Sequence, residues 1–408
     1  MRGAAVQQSQ VIVVGGGPVG LVTALGLARR GVAVTVLERE RGLGRAPRAM
    51  VYHNGVLPGL AELGVLDDVE QAGFRATGLA FWDYANQEAI RLDLRHFEGH
   101  EPFAYNVHLG QDRLADVTLD HLRRHEDAQV LFGALVTGYV EDEAEVAVSA
   151  FVDGRLRTFR ADYVIATDGA SSALRTQAGL GFEGMTWPER FVTANVRYDF
   201  AALGYEDSNL VVDPLMGGVI ARIDDEQLWR ITYAEDSALP FETIPARLAE
   251  YFARLLPAGA DYELVQYSPY TMHQRAARTF RAGRLLLAGD AAHVTSPIGG
   301  LGLTGGLFDS YVLSEALAAV LAGTVPDTVL DDYSTRRRQA FLEYASPRAS
   351  DFKTLVFNST DRAQLEQTLG MMRAAAADPE IARVALSVSQ PYRTPSLVDR
   401  PVPVSVTK

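Results

Sequence analysis

The residues that could hold chemistry in place fall in two glycine-rich turns and a few carboxylates beside them. Gly15-Gly16-Gly17-Pro18-Val19-Gly20 fits the spacing GxGxxG through Gly15, Gly17 and Gly20, between an apolar run and a helical one. The first glycine permits a tight turn, the second lets the backbone approach a pyrophosphate, and the third lets helix and strand pack closely. The free amides and positive dipole end of the helix that follows suit the same anion. Glu38 ends the next apolar run, at the spacing where a carboxylate accepts from a ribose diol, and Arg39 follows it. Such an acid disfavours a 2′-phosphate. This motif alone does not separate NAD from FAD.

Two further segments narrow the choice. Asp168-Gly169-Ala170-Ser171-Ser172-Ala173-Leu174-Arg175 follows the apolar run Tyr163–Ala166, and Gly289-Asp290-Ala291-Ala292-His293 precedes Pro297, Gly299, Gly300 and Gly302. An aspartate at such places can accept from a polyol or cap a helix, and unencumbered glycine amides can approach a flat, partly anionic ring. The three segments, in this order, resemble the fingerprints of the flavoprotein monooxygenases of the para-hydroxybenzoate hydroxylase type, and the resemblance runs from Val11 to Leu321.

That resemblance implies an FAD site made by Gly15, Gly17, Gly20, Glu38, Arg39, Arg48, Gln111, Asp168, Gly289, Asp290, Pro297, Gly300, Leu301 and Gly302. In it Asp290 holds the ribityl hydroxyls, the turn after Pro297 offers amides to the flavin ring, and Arg48 and Gln111 lie near the pyrophosphate and ribityl chain. Thr304 departs from the family, many of whose members carry asparagine there. No second GxGxxG unit occurs, so the resemblance implies NAD(P)H as a transient reductant, O2 added at the flavin C4a, and hydroxyl delivered to an aromatic, phenolic or polyketide-like small molecule. The same chemistry supports Baeyer–Villiger, epoxidising or decarboxylative oxygenation, and a non-catalytic FAD-binding protein would share the motifs. For a base that draws off a phenolic proton, His53, Tyr233 and His273 are candidates. Pro297 is expected at the reacting site as a turn-shaping residue with a usable carbonyl. Phe191, Tyr198, Met216, Trp229 and Tyr233 could line an aromatic pocket or fill a core.

The elements that must position these residues follow from periodicity. Residues 11–38 read as a βαβ unit, residues 109–124 as a helix with the apolar stripe Leu114, Val117, Leu119 and Leu122, and Asp153–Gly154 as a hairpin turn. Between residues 181 and 270 the period changes to two, as in Val192, Ala194 and Val196 alternating with Thr193, Asn195 and Arg197. The expected fold is α/β: a Rossmann-like FAD-binding domain (residues 1–180 and 271–330, with a smaller β segment near 75–110), an inserted β-rich substrate domain (181–270), and C-terminal helices (331–408) ending in a loosely held proline-rich tail from Pro391.

Composition agrees with a small-molecule partner. The 408 residues include 38 Lys and Arg against 51 Asp and Glu, for a formal charge of −13, which repels nucleic acid and anionic membranes alike. With no cysteine, disulfides and thiolate metal sites are excluded and redox work is left to a cofactor. No metal-ligand cluster or membrane-spanning run is visible, so the expectation is a cytoplasmic enzyme, monomer or homodimer.

Overall fold

The computed structural model describes residues 9–45, 49–357 and 361–399. Its centre is a six-stranded sheet in the order Arg281–Ala282, Leu285–Leu287, Tyr163–Ala166, Val11–Val14, Val34–Glu38, Ala128–Phe132. All neighbours are parallel except the short edge strand Arg281–Ala282. Unbroken apolar runs such as Val11-Ile12-Val13-Val14 suit a sheet covered on both faces, and these four residues are buried. The helices Pro18–Ala28 and Leu301–Leu321 cover one face and pack on each other. The expected hairpin turn is present, with Asp153 at φ 51° and Gly154 at φ 72°, joining Val146–Val152 to Arg155–Ala161 in a three-stranded meander.

The inserted sheet is larger than periodicity suggested. It has eight strands, in the order His293–Val294, Glu263–Ala276, Glu183–Arg197, Leu228–Asp236, Gly218–Arg222, Ser208–Val212, Gly78–Asp83, Glu88–Asp93. The β segment placed near residues 75–110 thus divides. Gly78–Asp83 pairs in parallel with Ser208–Val212 and carries Glu88–Asp93 with it, while Asn106–His108 joins a separate three-stranded sheet. The boundary expected at residue 270 falls inside the strand Glu263–Ala276, whose last residues pair with His293–Val294 beside the second glycine turn.

One face of the eight-stranded sheet is apolar. Val192, Ala194, Val196, Trp229, Ile231 and Tyr233 are buried there against the amphipathic helix Ile244–Leu255. Beyond the helix Val329–Ala340 the described residues are helical over Phe341–Phe357, Arg362–Ala377 and Pro379–Leu386. The segment after Pro391 is held rather than loose as far as it is described: Tyr392 is fully buried, and Thr394 and Val398 are buried too.

Candidate functional site

The three sequence motifs converge at the carboxyl ends of neighbouring parallel strands, where open α/β sheets bind ligands. Gly15 takes φ +110°, and a Cβ there would lie 2.4 Å from the Thr167 carbonyl oxygen, so only glycine fits between the first two motifs. Thr167 in turn donates from Oγ1 to Val14 O at 2.9 Å and Gly15 O at 3.0 Å. A Cβ on Gly20 would sit 2.0 Å from Gly15 O, which is the close helix–strand packing expected of the third glycine. Gly17 differs: a Cβ there would meet nothing within 4 Å. Gly17 is the N-cap of Pro18–Ala28 and supplies no side-chain cap, so the first amides of this helix face an open cradle.

The acids border that cradle. Glu38 accepts from Gly16 N at 2.5 Å and from Glu40 N at 2.8 Å. Asp168 accepts from Ala173 N at 2.9 Å through Oδ2, whereas its Oδ1 is buried with no protein partner. Arg175 is buried and structural: it donates to Ala291 O at 2.9 Å and Ala170 O at 2.7 Å and lies 3.7 Å from the Phe182 ring centre. It therefore ties the second motif to the third. Asp290 is exposed at the start of the third turn, beside buried Gly289 at φ +60°.

The second glycine turn is shaped from within. Pro297 is exposed and its carbonyl accepts from Gly300 N at 3.0 Å, so that oxygen is already engaged in the turn. Gly300 is left-handed at φ +68° and forms the N-cap of Leu301–Leu321, again without a side-chain cap. Leu301 is buried, and Gly302 has open space beside it. Thr304, where the family pattern has asparagine, bonds back to Gly300 O at 2.8 Å and is buried. Gln111 begins the helix Gln111–Leu122, exchanging hydrogen bonds with Ala49 at 2.8 and 3.3 Å. Arg39 is exposed and pairs with Glu40 at 3.3 Å. Arg48 lies outside the described residues.

These features fit FAD: an uncapped helix start and an open Gly17 for a pyrophosphate, Glu38 for a ribose, Asp290 for a polyol, and a second uncapped helix start for the electron-rich edge of a flavin.

Of the proposed bases, one stands at this turn. His53 Nε2 lies 2.9 Å from Gly299 O, and burial pulls its pKa below the ordinary imidazole value. With Nε2–H donating to that carbonyl, Nδ1 keeps a lone pair. The other two stand elsewhere. Tyr233 is buried in the apolar core, stacked on Tyr251 at 4.6 Å with its hydroxyl unpartnered, and His273 bonds Thr186 Oγ1 at 2.9 Å in an exposed stretch of the sheet. Strand alternation explains Tyr233: it shares a face with Trp229 and Ile231, opposite Arg230 and Thr232. Trp229, Met216 and Tyr198 belong to the same core, whereas Phe191 contacts Tyr270 and Phe357 on the other face.

That other face carries groups the sequence reading passed over. Arg230 Nε donates to Asn195 Oδ1 at 3.0 Å, Thr193 and Thr232 hydroxyls meet at 3.2 Å, and Tyr270 hydrogen-bonds Thr193. Burial lowers the Arg230 pKa to about 10, against the attraction of Tyr270 and of Asp112 at the start of Gln111–Leu122, and raises Tyr270 to about 12. At neutral pH Arg230 therefore stays a cation and Tyr270 a neutral phenol. Contacts of Met50 with Ala221 and Ile223, and of His108 with Ser208 and Arg222, join this face to the FAD-binding body. The polar members of an alternating strand were the available signal. Among the described residues no His, Cys, Asp and Glu cluster could hold a metal ion, and no helix is long and apolar enough to cross a membrane.

Comparison with known proteins places this geometry. The family model described as FAD binding domain matches residues 8–344. The chain is 43% identical over 345 residues to 6-hydroxy-3-succinoylpyridine 3-monooxygenase HspB of Pseudomonas putida, covering 84% of this chain and 88% of that protein. It is 39% identical over 377 residues to para-nitrophenol 4-monooxygenase of a Pseudomonas species, covering 91% and 93%. The crystal structure of p-nitrophenol 4-monooxygenase PnpA from Pseudomonas putida superposes with a TM-score of 0.91 at 38% identity, covering 95% of this chain and 98% of that one. By a family model over most of its length, two relatives at 43% and 39% identity and a closely superposing fold, the chain belongs to the FAD-dependent aromatic hydroxylase family.

Proposed function

We propose that the protein hydroxylates a one-ring phenol or hydroxypyridine bearing an electron-withdrawing group para to the ring hydroxyl, with FAD, NAD(P)H and O2. The carrying observation is the polar face of the inserted sheet, where Arg230 bonds Asn195, Thr193 bonds Thr232 and Tyr270, and the Asp112 carboxylate at the start of Gln111–Leu122 attracts Arg230. The two relatives named above act, by their names, on rings with a hydroxyl para to a nitro or an acyl group. A nitro, acyl or carboxylate substituent is an acceptor, and a partly desolvated guanidinium is the donor that suits it.

FAD, when bound, supplies the redox chemistry and the activation of O2. The uncapped start of Pro18–Ala28 and the open space at Gly17 take its pyrophosphate, Glu38 its adenosine ribose, Asp168 and Asp290 its polar chain, and the amides at Gly300–Gly302 its ring. His53, kept neutral by burial and oriented by Gly299, accepts the phenolic proton at Nδ1, which raises electron density on the ring carbon to be oxygenated. The sheet closes the reacting face against water. One oxygen atom enters the product, the other leaves as water, and NAD(P)H supplies the two electrons. The formal charge of −13 suits a small-molecule partner better than nucleic acid or an anionic membrane.

The test is NADH and NADPH oxidation by the yellow holoenzyme with 4-nitrophenol, 6-hydroxy-3-succinoylpyridine and unsubstituted phenol, with isotopically labelled O2. Stimulated oxidation and label in the product are expected with the first two. NAD(P)H consumption that yields only hydrogen peroxide with every one-ring substrate would refute the reading.

A further inference from the structure

The two turns that hold the flavin trace back, by separate routes, to one stretch of chain far away in sequence. The first route begins at Asp309, fully buried on the helix Leu301–Leu321. Its Oδ2 accepts from Gly289 N at 3.0 Å and from His293 Nε2 at 2.8 Å, so it fixes both ends of the Gly289–His293 turn that carries Asp290. Its Oδ1 accepts from Arg337 Nε at 2.7 Å. Arg337, also fully buried, donates through Nη1 to Tyr392 O at 2.8 Å and Thr394 Oγ1 at 3.0 Å, and through Nη2 to Gly305 O at 3.3 Å. A buried carboxylate and guanidinium persist only with their donors and acceptors satisfied. Here the strap 387–398 supplies two of the acceptors.

The second route runs through His53. Its neighbours Asn54 and Gly55 meet the same strap: Gln390 Nε2 donates to Asn54 Oδ1 at 3.2 Å, and Gly55 N donates to Ser389 Oγ at 3.3 Å. His53 Nε2 then bonds Gly299 O at 2.9 Å in the other turn. Tyr344 anchors the strap from the helical side by donating to Val388 O at 2.7 Å. The strap also fills the space over the turn helix, since a Cβ on Gly305 would lie 2.3 Å from the Tyr392 hydroxyl.

We propose that the strap 387–398 is a positioning element of the flavin site, acting through Arg337 and Asp309 on the Gly289–His293 turn and through Asn54 and His53 on the Gly299–Gly300 turn. Its residues need not touch the cofactor. They set the aim of the backbone amides and of Asp290, and small misplacements at such a site are costly.

Thr394→Val removes the Oγ1 acceptor while keeping shape, and Thr394→Ser restores it. Three quantities are read: the FAD dissociation constant by flavin fluorescence titration of apoprotein, the fraction of NAD(P)H electrons that reduce O2 to hydrogen peroxide, and the apoprotein melting temperature. Thr394→Val is expected to weaken FAD by about threefold to tenfold and to raise the peroxide fraction, with both returned to the parent values by Thr394→Ser. Gln390→Ala, which cuts only the second route, is expected to raise the peroxide fraction with less effect on FAD affinity. A fall in melting temperature with unchanged FAD affinity and peroxide fraction in both variants, or failure of Thr394→Ser to restore them, overturns the proposal. Because FAD binding is read on apoprotein, the result stands apart from the identity of the aromatic substrate.

Discussion

The two faces of the eight-stranded sheet are made by alternate residues of the same strands and do opposite work. Val192, Ala194, Trp229, Ile231 and Tyr233 bury apolar surface against the helix Ile244–Leu255. Thr193, Asn195, Arg230, Thr232 and Tyr270 hydrogen-bond among themselves, with a guanidinium and a phenol partly removed from water. The apolar face stabilises the sheet, and that stability lets the polar face carry groups that hydration would otherwise favour. A ligand site on strands backed by a core is also more rigid than one on loops.

Four experiments can break or sharpen this contrast. Trp229 is almost wholly buried in the apolar face, so Trp229→Ala is expected to cost about 3–5 kcal/mol in denaturant unfolding, while FAD affinity of the folded protein stays near the parent value. An equal loss from Arg230→Met would erase the distinction between the faces.

The next effect is acid sensitivity at the junction below the polar face. His108 is buried, with Nδ1 2.8 Å from Arg222 O and Nε2 3.3 Å from Ser208 Oγ, and burial lowers its pKa from 6.5 to about 4. As pH falls from about 6.5 towards 4, the unfolded chain binds a proton that the folded one refuses, so stability is lost, by about 3 kcal/mol at most for this group. Urea unfolding at successive pH values should show that loss, and His108→Gln should reduce the slope; an unchanged slope would remove His108 from the account.

Arg230→Met should leave FAD affinity intact and raise the KM for an acceptor-substituted phenol by about tenfold or more, the worth of a hydrogen bond to a charged group. Unsubstituted phenol should be affected less. Equal effects on both would argue against recognition of the substituent.

The smallest effect belongs to Tyr233→Phe. Its hydroxyl is buried without a partner, so its removal should change stability by no more than about 1 kcal/mol, in the stabilising direction if at all, and leave the pH profile of kcat as it was. A lost basic limb would return Tyr233 to the list of bases.

What the sequence made legible is what local backbone geometry dictates. Gly15 and Gly20 have no alternative at their distances, and Gly300 takes a left-handed φ, so the turns and their acids could be read from spacing, and the opening βαβ unit from periodicity, whereas the order of the six central strands could not. Alternation in 192–197 announced a sheet with two unlike faces but not which one packs on the helix Ile244–Leu255, because both carry aromatics. Tyr233 was therefore drawn toward chemistry and Arg230 overlooked. Pairing between Gly78–Asp83 and Ser208–Val212 leaves no local mark. Nor does the burial of Tyr392, since Pro391 and the polar residues around it read as a tail until Arg337 supplies partners for their carbonyl and hydroxyl oxygens.

The parallel pairing of Gly78–Asp83 with Ser208–Val212 also bears on how the chain acquires its shape. A strand made early must wait for a partner more than a hundred residues later before the eight-stranded sheet can close, and such non-local closure slows folding. Residues 181–276 excised alone would present Ser208–Val212 as a bare, mostly apolar edge, an invitation to intermolecular strand pairing. The eight-stranded sheet is thus no detachable module: it matures together with the body it joins, and a nascent chain halted between the two strands should depend on chaperones to keep Gly78–Asp83 from the wrong partner.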